Sequence, residues 1–161
     1  MERITYSQAA GIYAALKSGQ DYVDNCGLDE ELYELIVFRV SQINSCAYCL
    51  DMHYKDAIHI GMDPIKLISV SAWREAPYYS DKEKAALAFA EHLTHLPAET
   101  SSEGIHDELS KHFTTEEIAN LTLVVIQINS WNRLTRSFGP VPGKYKAGSR
   151  KKPIVADVAN N

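Results

Sequence analysis

The sequence predicts an all-α fold, and three observations carry that reading. Apolar residues recur at helical spacing through most of the chain, no stretch shows convincing strand alternation, and helix start and stop signals punctuate the sequence. The 161 residues suit one domain with a sizeable core. With 45% hydrophobic and 23% charged residues, the balance is that of an ordinary globular protein.

The elements follow in order. Tyr6 to Ser18 carries Ala9, Ala10, Tyr13 and Leu16 on one helical face, with Gly19 as the expected stop. Asp29 to Asn44 is next, and its second half (Leu35, Ile36, Val37, Phe38, Val40, Ile43) has little polar face, so this helix is expected to be central and buried. Cys46 to Ile60 follows and ends at Gly61, a suitable left-handed stop. Asp63-Pro64 pairs a capping carboxylate with a proline at the first helical position. Ser80-Asp81-Lys82-Glu83 and Thr114-Thr115-Glu116-Glu117 are capping boxes that open two further helices, and a weaker helix is expected over Glu103 to Lys111. From Phe138 the character changes to Gly139-Pro140-Val141-Pro142-Gly143 and then a basic Lys144 to Lys152 stretch. We therefore expect a helical domain over 1–137 and a C-terminal arm or disordered tail over 138–161.

Charge and cysteine usage narrow the function classes. A formal charge of −5 and a pI near 5.6 argue against nucleic acid or an anionic membrane as partner. Met1-Glu2-Arg3-Ile4-Thr5-Tyr6 has neither a basic nor an apolar leader region, so no secretory signal is expected, and no apolar run approaches the length of a bilayer span. Three cysteines are too few for a disulfide scaffold. A reducing cytoplasm is the expected compartment, where a close cysteine pair is more often redox-active or metal-binding than structural.

That pair is Cys46-Ala47-Tyr48-Cys49, followed by Leu50-Asp51-Met52-His53. On a helix, Cys46, Cys49 and His53 stand three, four and seven apart and share one face. Two thiols and an imidazole on one stripe can form a disulfide, hold a metal or activate a thiolate. Asn44 and Ser45 are good cap residues, so the cysteines should lie in the first turns, where unsatisfied amides and the helix dipole favour a thiolate. His53 can accept the thiol proton. Ala57 and Ile60 continue the stripe, so the site is expected to open into a partly dry pocket. Zinc is the rival reading, but three ligands spread over about 10 Å of helix axis suit a tetrahedral site poorly. A c-type haem needs His directly after the second cysteine, where Leu50 stands, and a thioredoxin-type site needs a strand–helix context. A purely structural set of small core residues also stays open.

Glu34 sits twelve residues before Cys46, with Val37 and Phe38 as its next helical neighbours. Burial against them would raise its pKa toward a proton-transfer range. On spacing alone the favoured reading is that Glu30, Glu31 and Glu34 complement a positive helix N-terminus.

Glu34 together with Cys46-x-x-Cys49-x-x-x-His53 resembles the signature of the alkylhydroperoxidase D-like branch of the carboxymuconolactone decarboxylase superfamily. Leu35 to Asn44, Trp73-Arg74-Glu75-Ala76-Pro77, Glu83 to Ala88 and Asn129-Ser130-Trp131-Asn132-Arg133 resemble the same branch, over residues 28–137. The resemblance implies an oligomeric helical bundle, commonly a trimer or hexamer. It also implies a thiol peroxidase or disulfide reductase with no metal, flavin or other cofactor. By that likeness Glu34 and His53 form a proton relay, Cys49 is the attacking thiolate and Cys46 the resolving thiol. The partners so implied are an organic hydroperoxide and an external dithiol or protein reductant. Some members carry a second histidine between the cysteines; here that position is Tyr48, a far weaker base that can still orient a substrate oxygen. A non-peroxidatic dithiol module is the alternative, and a lactone decarboxylase a further one, although the latter gives the cysteine pair no task. Trp73, Trp131, Asn129 and Asn132 are expected in the core or an interface, His92 and His95 at a solvated helix end, and Cys26 as a bystander.

Overall fold

The computed structural model describes residues 2–149. Among these described residues, seven α-helices run in order: α1 (Ala10–Asn25), α2 (Glu30–Ile43), α3 (Ala47–His59), α4 (Pro64–Ile68), α5 (Asp81–His95), α6 (Glu103–Leu109) and α7 (Thr115–Phe138). A 3₁₀ turn, Ser69–Ala72, extends α4. The described residues contain no strand, so the all-α expectation holds.

The capping chemistry sets most of these boundaries. The Asp29 carboxylate accepts the Leu32 amide at 2.9 Å, and Asp63 accepts that of Ile65 at 2.9 Å. Ser80 with Glu83 and Thr114 with Glu117 close both capping boxes. Gly61, at φ +94°, follows α3 in the left-handed region that a side chain disfavours.

The first helix departs from expectation at both ends. Residues 6–9 form turns, held by the Thr5 amide on Gln8 Oε1 at 2.8 Å and the Gln8 amide on Thr5 O at 3.1 Å, so α1 starts at Ala10. It then runs through Gly19 to Asn25. Gly19 is a close-approach site rather than a stop: a Cβ there would lie 2.0 Å from Gln127 Nε2, which donates to Leu16 O at 3.0 Å. The left-handed glycine that follows α1 is Gly27, at φ +76°.

The α2 helix is the central element, packed against α3, α5 and α7. Leu35, Ile36 and Val40 are fully buried, each worth about 1.5–3 kcal/mol by transfer from water. It separates two apolar clusters. Ile36, Val37 and Val40 meet α5, α6 and α7 through Phe89, Leu109, Leu121 and Val124, whereas Leu35 and Phe38 face Ala57, Leu67, Val70 and Trp73. The catalytic candidates project from α2 and α3 toward a space that α1 and α7 also line.

Beyond α7, the described chain is laid along α3. Lys55 Nζ donates to Gly143 O at 3.2 Å and Tyr145 O at 3.1 Å. Tyr145 OH donates to Asp56 Oδ2 at 2.8 Å, and the Gly148 amide to Asp56 Oδ1 at 3.0 Å. The remainder of the expected tail, from residue 150, lies outside the described residues. No helix among them is long and apolar enough to cross a membrane.

Candidate active site

The corner between α2 and α3 places the first cysteine. Ser45 there takes φ +52°, a left-handed conformation that a non-glycine residue holds only at a cost of about 1–3 kcal/mol. The surroundings enforce it. Asn44 Nδ2 donates to Asn129 Oδ1 and Asn132 Oδ1, both at 2.9 Å, and Arg136 Nη1 donates to Asn44 O at 2.9 Å. Asn132 is fully buried and donates in turn to Ser41 Oγ at 3.1 Å.

Cys46 is therefore the N-cap of α3 itself, the position expected for Asn44 or Ser45. Its Sγ accepts the Cys49 amide at 3.4 Å. Cys46 and Cys49 form a disulfide with Cα atoms 5.3 Å apart, and each is 1% exposed. His53 follows one turn after Cys49, is equally buried, and its Nδ1 lies 2.9 Å from Glu34 Oε2. Glu34 thus reaches across from α2 to the imidazole instead of facing water at its own helix N-terminus. An ionised Glu34 takes Nδ1–H as its donor, which leaves Nε2 as the ring's acceptor.

A cavity of about 580 Å³ adjoins these residues. Cys49 and His53 line it and Cys46 does not. Aromatic rings form much of the remaining wall (Tyr6, Tyr13, Tyr33, Tyr48 and Trp131), beside polar groups and the apolar Met52 and Ile128. Burial, with Tyr48 and Tyr13 adding to it, raises the Tyr6 phenol to about 12. Burial and Asp51 raise that of Tyr48. Both phenols are thus protonated donors at neutral pH. Lys17 and Asp24 supply the charged part of the rim, while Gln20 accepts from Trp131 Nε1 at 3.1 Å and donates to Asp24 Oδ1 at 2.8 Å and Tyr33 OH at 3.2 Å.

The pocket is where the sequence placed it, but its dry walls are not. Ala57 and Ile60 belong to the apolar cluster with Leu35 and Leu67, because α3 turns that part of its stripe toward α2 and α4. The apolar wall comes instead from Tyr33 of α2, Tyr48 and Met52 of α3, Tyr13 of α1, Tyr6 before it, and Ile128 and Trp131 of α7. Thr135 was not anticipated: its Oγ1 lies 3.0 Å from Cys46 Sγ and 3.3 Å from Cys49 Sγ. The only available hint is its place one turn after Trp131. Trp73 is buried and bonded to Glu91, Asn129 and Asn132 serve the α2–α7 tether, and Trp131 is a cavity wall. His92 Nε2 is 3.0 Å from Ser102 Oγ, and Cys26 Sγ lies 3.1 Å from Val23 O, away from the site. Among the described residues no group of three or more His, Cys, Asp or Glu is disposed to hold a metal.

The carboxymuconolactone decarboxylase family model matches residues 8–92. An uncharacterised Bacillus subtilis protein, YdfG, is 37% identical over 120 residues, spanning 74% of this chain and 82% of that one. Among solved structures, an Agrobacterium tumefaciens protein of unknown function, provisionally described as an antioxidant defence protein AhpD, superposes with a TM-score of 0.84 at 34% identity. That match covers 90% of this chain and all of the other. An uncharacterised peroxidase-related protein from Silicibacter sp. TM1040 gives a TM-score of 0.72 at 25% identity, over 84% of this chain and 72% of its own. More than half of the sequence fits the family model and nearly all of the fold is shared with an AhpD-type neighbour, so the chain belongs to the carboxymuconolactone decarboxylase family, in its AhpD-like branch.

Proposed function

We propose that this protein is a thiol-dependent peroxidase that reduces organic hydroperoxides through Cys46 and Cys49. The observation that carries this reading is the position of Cys49 and His53 on one cavity wall, with Glu34 holding the far side of the imidazole. In the reduced protein, His53 Nε2 takes the Cys49 thiol proton. The thiolate attacks the distal peroxide oxygen, the O–O bond breaks, and His53 returns the proton to the departing alkoxide. The products are a Cys49 sulfenic acid and an alcohol. The Cys46 thiol then displaces hydroxide from that sulfenic acid as water, giving the Cys46–Cys49 disulfide. An external dithiol or protein reductant restores the pair by exchange and is itself oxidised to a disulfide.

Glu34 orients the imidazole and stabilises its cationic form, as a buried carboxylate does for a catalytic histidine. The cavity supports an organic substrate: about 580 Å³ of space with five aromatic rings on its wall far exceeds what hydrogen peroxide needs and is within the range of small-molecule sites. Tyr48, on that wall, is the proposed donor to a substrate oxygen. The same reading includes a homo-oligomer.

Steady-state loss of cumene hydroperoxide with dithiothreitol as reductant tests the proposal. Cys49→Ser should lower turnover on the order of 10³-fold or more, while Cys46→Ser, reduced and then freed of dithiothreitol, should consume one equivalent and stop at the Cys49 sulfenic acid. Undiminished turnover by Cys49→Ser overturns it.

A further inference from the structure

We propose that Thr135 is a redox-coupled hydrogen-bond donor: its hydroxyl serves a backbone carbonyl while the cysteines are paired, and turns to the Cys49 thiolate when the disulfide opens. This rests on the dithiol/disulfide cycle proposed above, but not on which oxidant drives it.

Thr135 is 5% exposed, and its Oγ1 has four polar neighbours. They are Cys46 Sγ at 3.0 Å, Cys49 Sγ at 3.3 Å, Trp131 O at 2.8 Å and Asn132 O at 3.1 Å. A hydroxyl has one proton to give. With the cysteines paired, both sulfurs are weak acceptors, so the proton belongs to the Trp131 carbonyl, one turn back on α7. Reduction changes the competition. A thiolate is a charged acceptor, and a charge-assisted hydrogen bond is roughly twice as strong as a neutral one. Rotation about one side-chain bond redirects the proton, and the helical backbone bond from the Thr135 amide to Trp131 O remains.

Cys49 needs such a donor. Its sulfur is almost fully buried, which disfavours the thiolate. Cys46, as N-cap, has the Cys49 amide to rely on. Cys49 lies three residues into the helix and lacks that partner. The ionisable groups around it are His53 and Glu34 from α3 and α2, Lys17 and Asp24 from α1, and the cavity tyrosines. None of them comes from α7, the helix on which Thr135 meets both sulfurs.

The test uses reduced protein with no peroxide, in a Cys26→Ser, Cys46→Ser background in which Cys49 is the one remaining cysteine. Thiolate absorbance against pH and iodoacetamide uptake then report that sulfur alone. Thr135→Val keeps the shape and removes the donor; Thr135→Ser restores it. The valine variant should shift the thiolate transition to higher pH and slow alkylation near neutrality about tenfold. The rate deficit should vanish at alkaline pH, where Cys49 is fully ionised, a pattern that a merely structural defect would not give. The serine variant should behave as the parent. Thr135→Ala, which adds no bulk and suits a helix, is read in the same way if valine disturbs folding. An unshifted thiolate transition in the donorless variant overturns the proposal. Since no peroxide is present, that result would leave the peroxidase reading standing, and a shifted transition in a protein inert to peroxide would do the reverse.

Discussion

Two buried glutamates, Glu34 on α2 and Glu91 on α5, sit in surroundings that differ in kind. On Glu91, Oε1 receives Arg39 Nε at 2.7 Å and Trp73 Nε1 at 3.0 Å, and Oε2 pairs with Arg74 Nη1 at 2.8 Å. The Arg74 guanidinium also stacks 4.2 Å over the Trp73 ring. Burial pushes the Glu91 carboxyl up, but the Trp73 indole and the two guanidiniums together hold it below its ordinary value. It is a fixed anion that ties α2, α5 and the segment after the 3₁₀ turn. Glu34 instead faces an imidazole whose ring also lines a cavity beside a sulfur. The comparison teaches that burial alone does not mark a working carboxylate. Pairing with permanently charged donors makes a brace, and pairing with a titratable ring at a cavity is the arrangement that the proposed proton path requires.

Matched substitutions break the comparison most sharply. Glu34→Gln should lower kcat/KM for an organic hydroperoxide by about 10²–10⁴-fold, the usual range for a lost acid–base group. Glu91→Gln should leave activity per folded molecule unchanged. Equal losses of activity in the two would erase the distinction drawn here.

Stability should show the opposite ranking. Removing the Glu91 charge strands Arg39 in a largely buried site, so chemical denaturation of Glu91→Gln should show a loss of about 3 kcal/mol. The pH dependence follows from the same carboxyl. Its folded pKa lies below the ordinary 4.5, so its contribution is full above that value and is lost as pH falls through the folded one. Thermal unfolding of the parent should weaken on acidification below about pH 4.5, and Glu91→Gln should flatten that part of the profile.

The smallest effect concerns the cavity wall. Tyr48→Phe removes one neutral donor while keeping the ring, so KM for an organic hydroperoxide should rise about threefold with kcat nearly unchanged. No change in KM would remove Tyr48 from the binding surface.

What the sequence disclosed tracks how local each feature is. The capping boxes at Ser80 and Thr114 and the apolar run of α2 are written in neighbouring residues, and those elements fall where their signals put them. Gly19 carries the same local stop signal, but it is used for close packing against Gln127, 108 positions away in sequence and invisible to helical periodicity. Within the site, Cys46, Cys49 and His53 share one helix and could be grouped from spacing. Glu34 joins His53 across two helices, and only the family resemblance singled it out before the fold did. Thr135 lies 89 residues from Cys46 and carries no motif. The same is true of Tyr6 and Tyr13, whose role as cavity wall depends on how α1 and the turns before it lie against α7.

The most direct test of the central claim is a single turnover. Reduced protein, mixed rapidly with one equivalent of cumene hydroperoxide and quenched, is examined by mass spectrometry of the peptide spanning Cys46 and Cys49, alongside residual peroxide. The account predicts an intramolecular Cys46–Cys49 disulfide formed in step with the loss of one peroxide per protein. Cysteines that stay reduced while the peroxide survives would contradict it.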